Sequence, residues 1–299
     1  MENFTILTIN TWKCDGVYPE RIHWMASEIE RLNPDIIVCQ EVFWTTSGKY
    51  DTLKLLQSEQ HKKQSSDQSS DEKSRLKYSS FSAARVKDRY INGQFLESAS
   101  GLGILSVYPI IDSFAINLPD HPADGERIAQ FSIVEVNTAR LLVINTHLTH
   151  LKVENSLRLN QIEAILSQDI LKESFDAVLL CGDFNCTEDG ITIQYLYQHP
   201  DFKVSNAFRR AKVRSARHIT LPKKTVSEML TPEAGDGRCI DFIFLLEKSS
   251  QSTLKVDLTQ VVLDNPNNAG EFPSDHFGVM ASIKVKSKSN QPLSREFSA

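Results

Sequence analysis

Short apolar runs rich in β-branched residues recur along this chain, and most of them stop at a carboxylate, an amide or a histidine. The runs "FTILTI", "DIIVC", "GLGILSV", "AQFSIVEV", "RLLVINTHL", "DAVLLCG", "CIDFIFLL" and "FGVMASIKV" have the length and composition of strands, and the unbroken apolar character of several predicts burial on both faces. Between the first two, Ile22, Met25, Ala26, Ile29 and Leu32 recur at helical spacing until Asn33-Pro34 ends the pattern. Leu157, Ile162, Ile165 and Leu166 predict a second helix. Strand and helix alternate early and strands then follow strands, so an α/β chain with mixed sheets is expected.

The 299 residues, 40% of them apolar, supply a large core, and nothing isolates a second one; residues 1–286 are expected to form a single domain. The stretch 58–77 is dominated by Ser, Gln and mixed charge and predicts a disordered insertion, and 287–299 a flexible tail. With 33 basic against 38 acidic residues, a net charge of −5, the chain lacks the balance of an electrostatic nucleic-acid clamp. Its 5 cysteines (Cys14, Cys39, Cys181, Cys186, Cys239) form no CxxC pair and read as reduced thiols, against a disulfide frame or a zinc cluster. The first residues carry no basic segment, long apolar run or small-residue cleavage site, and no stretch approaches the roughly 18 apolar residues of a membrane span. A cytoplasmic monomer without a transmembrane segment is expected.

The polar residues at the strand ends narrow the chemistry. Asn10 closes the first strand and Gln40-Glu41 the second; His147 follows "LLVINT", Asp183 and Asn185 follow "VLLCG", Asp241 opens "DFIFLL", and Asp275-His276 precede the last strand. Alone, an Asn or Asp at a strand end is an ordinary turn or cap, and a Glu after an apolar run is an ordinary solvent boundary. Together, "GDFN" and "SDHFG" each set two metal or phosphate partners beside long apolar runs, where a buried charge needs company. Carboxylate and amide oxygens favour a hard cation such as Mg²⁺, with Mn²⁺ as a substitute. A histidine fixed by a carboxylate can move a proton near neutral pH, as water attack on phosphorus requires.

With "TINTW", "PDIIVCQEV", "GLGILS", "NTHL", "GDFN", "RCIDFIF" and "SDHFGV" in that order, the chain resembles the endonuclease/exonuclease/phosphatase superfamily, the group that includes DNase I, AP endonucleases, inositol polyphosphate 5-phosphatases and neutral sphingomyelinases. The resemblance implies a DNase I-like four-layer sandwich, two mixed β-sheets face to face with helices outside, and a cleft at the sheet edge. It implies Glu41 as principal Mg²⁺ ligand with Asn10 and Asp275 nearby, His147 at the scissile phosphate, Asp183 with Asn185 positioning water and phosphate, and Asp241 with His276 as a carboxylate-histidine dyad. Arg158 and Gln161, three apart on one helix face, stand where the family often has supporting Arg and Gln. The division of base and acid between Asp183 and His276 stays open.

The implied activity is Mg²⁺-dependent hydrolysis of a phosphodiester by water, with a nuclease on DNA or RNA as the alternative and an inactive binding module as a third reading disfavoured by the full residue set. Trp12 replaces the acidic residue that AP-endonuclease-like members carry two positions after Asn10, which weakens the abasic-DNA reading. Arg209, Arg210, Lys212, Arg214, Arg217, Lys223 and Lys224 form the one basic cluster, read either as a solvated surface or as the rim for a polyanionic substrate. Trp12, Trp44, Tyr50 and Tyr108 are aromatic candidates for the cleft mouth or the core. Which phosphate ester is cut would be set by loops expected at 43–56, 86–100, 112–126 and 205–236.

Overall fold

The computed structural model describes residues 1–58, 74–91, 93–151, 155–214, 219–222, 237–248 and 254–286. Its strands form two sheets. The first runs, edge to edge, β10 (Val213–Arg214), β12 (Leu254–Val262), β13 (Gly278–Val285), β1 (Glu2–Asn10), β2 (Ile36–Thr45), β4 (Gln94–Ser106) and β3 (Tyr78–Ile91). The second runs β5 (Ile110–Asn117), β6 (Ile128–Val136), β7 (Ala139–His147), β8 (Ala177–Asp183), β11 (Asp241–Glu247) and β9 (Lys203–Asn206). Both are mixed: β1 is parallel to β2 but antiparallel to β13, and β7 is parallel to β8, which is antiparallel to β11.

Strand alternation sorts the side chains into three cores. Phe4 and Ile6 of β1, Val38 of β2, Leu141 and Val143 of β7, Leu179 of β8 and Ile243 of β11 meet between the sheets. The alternate residues Leu7, Ile9, Ile37 and Cys39 face outward onto Ile22, Met25 and Ile29 of α1 (Glu20–Leu32) and Leu53 of α2 (Thr52–Ser58). Leu142, Ile144, Leu180 and Phe244 cover the other side against Ile162 and Ile165 of α3 (Asn155–Leu166) and Ile193 of α4 (Ile191–Tyr197). Each large side chain so buried contributes about 1.5–3 kcal/mol. Asn33 ends α1 in the left-handed region, its N–H returning to Ile29 O. The expected two-sheet sandwich is therefore present.

The periodicity missed β3, β5 and β12, and also the short β9 and β10. Strand β3 is largely exposed along its length, β5 is exposed or half-buried throughout, and β12 interleaves Lys255 and Asp257 among apolar residues, so none reads as an apolar run. As a result all four expected loops are partly regular structure: 86–100 falls in the β3–β4 ribbon, 43–56 holds the end of β2 and most of α2, 112–126 begins as β5, and 205–236 begins with the end of β9, a short helix over Ala207–Arg210 and β10. The ends of the expected insertion 58–77 also belong to the fold, since Ser58 closes α2 and Leu76 is fully buried. Residues 59–73 and the expected tail 287–299 lie outside the described residues. All the cysteines are free thiols. Among the described residues no helix is long and apolar enough to cross a membrane.

The two sheets are also joined by amides. Gln40 Nε2 donates to Asn145 Oδ1 (2.8 Å) across the inter-sheet space, and Asn145 Nδ2 donates to Cys39 O (2.9 Å) and Gly103 O (3.1 Å). Beside this link Gly182 pairs with Thr146 at φ +139°, and a Cβ there would stand 1.9 Å from Thr146 O. Gly182→Ala is expected to lower unfolding stability by at least about 2 kcal/mol in urea titration, from left-handed strain and overlap together; unfolding indistinguishable from the parent would show that β8 can draw away from β7.

Candidate active site

The same alternation that fills the core brings polar groups to one end of it. On β1, Asn10 has the parity of Phe4 and Ile6; on β8, Asp183 that of Leu179 and Cys181; on β11, Asp241 that of Ile243; on β7, His147 that of Leu141 and Val143. All four therefore project from the inter-sheet faces. In the second sheet they form a row, with His147 opposite Asp183 and Asp183 opposite Asp241. Glu41 has the wrong parity, that of outward-facing Ile37 and Cys39. A bulge between Cys39 and Val42, with Glu41 itself at φ 54°, turns its carboxylate back to the cleft, 3.9 Å from His147 Nδ1.

The cluster converges on one oxygen. Asp183 Oδ2 accepts from Asn10 Nδ2 (3.2 Å) and lies 3.4 Å from His147 Nε2 and 3.8 Å from His276 Nε2; Asp183 Oδ1 accepts from the Asn185 N–H (2.8 Å). His276 Nδ1 is 3.0 Å from Asp241 Oδ2, so the expected dyad is in contact. Asn185 Nδ2 donates to Leu148 O (3.0 Å). Thr220 Oγ1 accepts from the N–H groups of Ile240 and Asp241, and Ser274 Oγ donates to Asn10 O (2.6 Å) while accepting from the His276 N–H. Arg158 and Gln161 hold the turn after His147: Arg158 donates to Thr149 O and Leu151 O, and Gln161 accepts from Thr149 N–H and donates to Pro119 O.

Burial first, and then the Asp241 carboxylate, raise the proton affinity of Asp183 above the usual carboxylate range. Burial would pull that of His276 down, but Asp241 and Asp183 outweigh it and raise it well above the usual histidine range. His147 moves the other way: burial, followed by the charges of Arg127, Lys13 and His276, holds it well below that range, so its imidazole is neutral. A charged imidazole and a neutral one thus flank a single carboxylate.

Two features of the donor set suit a cation. The ligand atoms of Asp183, Asp241 and His276 all lie within 4.8 Å of one another, a buried group that could hold a metal ion, although the Asp241–His276 bond already joins two of its members. At the other side of the cluster Lys13 Nζ stands 3.1 Å from Glu41 Oε1, a cation of the protein's own beside the carboxylate expected to be the metal ligand. Asp275 meets the cluster through its charge, which helps raise the proton affinity of His276 and also acts on nearby Arg21.

Sequence patterns gave no functional reading to Arg21. Its guanidinium is buried and uses all its donors on main-chain oxygens: Nε on Asp15 (2.7 Å), Nη1 on Thr11 (2.6 Å) and Pro273 (3.1 Å), Nη2 on Trp12 (2.6 Å) and Lys13 (2.7 Å). It thereby ties the loop after Asn10, where Trp12 and Lys13 are left-handed (φ 55° and 42°), to the loop before Asp275. The signal was present: Arg21 shares the helix stripe of Met25 and Ile29, a charge on an apolar face.

Of the aromatic candidates, Tyr50 is buried against Tyr18 and Phe43, Tyr108 packs on the inter-sheet core, Trp44 is half-buried within β2, and the Trp12 ring lies under the Arg21 guanidinium. In the described part of the basic cluster Arg209 pairs with Glu188 (2.7 Å), Arg210 with Glu247, and Lys212 with Asp257 (3.0 Å), while Arg214 is exposed on β10. Arg217, Lys223 and Lys224 lie outside the described residues.

Two mixed sheets packed face to face, with outer helices and a carboxylate-histidine cluster where the strands end, define a DNase I-like sandwich. The chain belongs to the Endonuclease/Exonuclease/phosphatase family, whose sequence profile matches residues 7–276. No curated relative matches it. Among solved structures it is similar to an endonuclease/exonuclease/phosphatase from Bacteroides vulgatus (16% identity, TM-score 0.69, covering 96% of this chain and 100% of that one). It is also similar to the Bacteroides thetaiotaomicron mannosyl-6-phosphatase Bt3783 (17%, 0.65, 94% and 99%) and to D. rerio TDP2 complexed with a single-strand DNA product (17%, 0.61, 94% and 99%).

Replacing Arg21 by Met leaves its carbonyl partners unsatisfied in a buried place. The variant is expected to lose about 3 kcal/mol or more of stability and to speed amide exchange at residues 11–15. Unchanged exchange there would show that the loop holds its left-handed turn without the guanidinium.

Proposed function

We propose that the chain is a Mg²⁺-dependent phosphoesterase that hydrolyses a phosphodiester by attack of water. The observation that carries this reading is the convergence of Asn10, His147 and His276 on Asp183 Oδ2, with the Glu41 carboxylate adjoining through His147. Glu41, with Asn10 and Asp275, would hold Mg²⁺ or a substituting Mn²⁺, which when bound supplies Lewis-acid neutralisation of phosphate oxygens. Asp183, raised in proton affinity and oriented by Asn10 and the Asn185 N–H, is suited to take a proton from water. His276, kept protonated by Asp241, donates a charged hydrogen bond to the phosphoryl oxygens or the leaving group. Neutral His147 donates a further one, and the Asn185 amide orients the ester. Arg158 and Gln161 act through the backbone around His147 and touch no substrate. As a compartment we propose the cytoplasm, with the chain acting as a monomer.

The test is hydrolysis of bis(p-nitrophenyl) phosphate. Activity should require Mg²⁺ or Mn²⁺, vanish with chelator and return with metal, and Glu41→Gln should lower kcat/KM at least about a hundredfold, or about 2.7 kcal/mol, while weakening Mg²⁺ binding by calorimetry. A Glu41→Gln enzyme with parental turnover and metal affinity would remove Glu41 from the metal site.

Because Asp241 acts through His276, their losses should not multiply. Asp241→Asn combined with His276→Ala is expected to be scarcely slower than His276→Ala alone; independent, multiplying defects in kcat would mean that the two do not work as a unit.

A further inference from the structure

The cleft lined by Glu41 and His147 also holds the cations Lys13, Arg85 and Arg127. Two of these have carboxylates away from the metal side: Arg85 pairs with Glu126 (3.2 Å), and Arg127 Nε donates to Asp124 Oδ2 (3.0 Å). Lys13 instead takes Glu41, its Nζ 3.1 Å from Oε1. Its partner is the carboxylate expected to hold the metal.

The backbone around Lys13 is fixed for this contact. Its N–H donates to Glu41 O (3.1 Å), a carbonyl that also accepts from Thr11 Oγ1 (3.0 Å), and its own carbonyl accepts from Arg21 Nη2 (2.7 Å). Lys13 and Glu41 are thus bonded through the main chain as well as through their charges, and both are left-handed (φ 42° and 54°). The ammonium, by contrast, ends a flexible four-carbon stem whose side chain is 39% exposed, so it can leave Glu41 while the backbone stays in place. An ion pair this open to water adds little to stability, and stability therefore does not account for the arrangement.

We infer that Lys13 is a tethered rival of the metal ion: it neutralises Glu41 while no cation is bound there and gives up that oxygen when Mg²⁺ binds. The inference rests on the reading of Glu41 as metal ligand and adds what sets the affinity of that site. Its physical ground is competition at one atom. An ammonium and a divalent ion on the same carboxylate oxygen repel each other, and Mg²⁺ demands near-octahedral oxygen coordination that a hydrogen-bonded ammonium on Oε1 obstructs. Lys13 therefore weakens Mg²⁺ binding, and its released charge stays in the cleft beside His147.

Calorimetric Mg²⁺ titration and lysine labelling test this. Lys13→Met should bind Mg²⁺ at least about threefold more tightly than the parent, and its melting temperature should rise further when Mg²⁺ is added to the chelator-treated protein. Lys13→Arg, which keeps the charge, should bind no tighter than the parent. Arg85→Met, which removes an equal charge paired with Glu126, should gain less than Lys13→Met. In the parent, reductive methylation read by peptide mass spectrometry should modify Lys13 faster in Mg²⁺ than in chelator, with exposed Lys172 unchanged. Parental or weaker affinity in Lys13→Met, an equal gain from Arg85→Met, or labelling of Lys13 that Mg²⁺ does not quicken overturns the inference; with Glu41→Gln still weakening Mg²⁺ binding, the metal reading stands. A parent that binds no Mg²⁺, or a Glu41→Gln variant that binds it like the parent, overturns the metal reading and the inference together.

Discussion

Side chains alternate along a strand, and in this molecule that rule connects the hydrophobic core to the candidate site. The residues that fill the inter-sheet space and those that form the polar cluster are successive members of the same rows: Phe4, Ile6 and Asn10; Leu179, Cys181 and Asp183; Ile243 and Asp241. Apolar side chains cement the two sheets through their middle, and at one end the rows change to carboxylate, amide and imidazole. The positions of the polar groups are then fixed by the packing of the strands beneath them. A one-residue slip of β8 would carry Asp183 to the α3 side and Phe184 into the cluster.

Where strand geometry alone would fail, the backbone departs from it. Glu41 and Asn185 (φ 48°), like Trp12 and Lys13, occupy the left-handed region, which for a side-chain-bearing residue costs of order 1 kcal/mol or more. Compensation lies close by. Asn185 is fixed by its N–H on Asp183 and its amide on Leu148 O, while Arg21 bonds the carbonyls of the Trp12–Lys13 turn. A buried guanidinium is itself costly, and burial brings its proton affinity down to about 10. It stays charged at neutral pH because carbonyl oxygens surround it and Asp275 lies near.

The legible parts of the fold were those whose burial is two-sided. Strands β1, β2, β4, β6, β7, β8, β11 and β13 stood out as apolar runs because their burial leaves little room for polar residues, and α1 and α3 as stripes because one face of each packs on a sheet. Strand β3 could not be read this way, since a ribbon exposed on most of its length carries Arg85, Lys87 and Arg89 where a core strand carries valine. For the site, residue types at strand ends were enough to single out the groups that the structure brings around Asp183. Arg21 and the link of Gln40 to Asn145 escaped because they bond to backbone or to each other across the chain, and such pairings leave no local spacing to find. Charge clustering in the sequence misdirected attention to 209–214, where Glu188, Glu247 and Asp257, distant along the chain, meet the cations in space.

The pairing of β1 with both β2 and β13, reinforced by the Arg21 bond to Pro273 O, has a temporal side. A growing polypeptide supplies Asn10 and Glu41 early but His276 only near the end of the described residues, and until β13 docks, β1 and β12 keep bare edges facing each other. Every nascent intermediate therefore lacks half of the dyad and one wall of the Arg21 clamp. The polar cluster would therefore close in one step, with the arrival of the last strand of the first sheet.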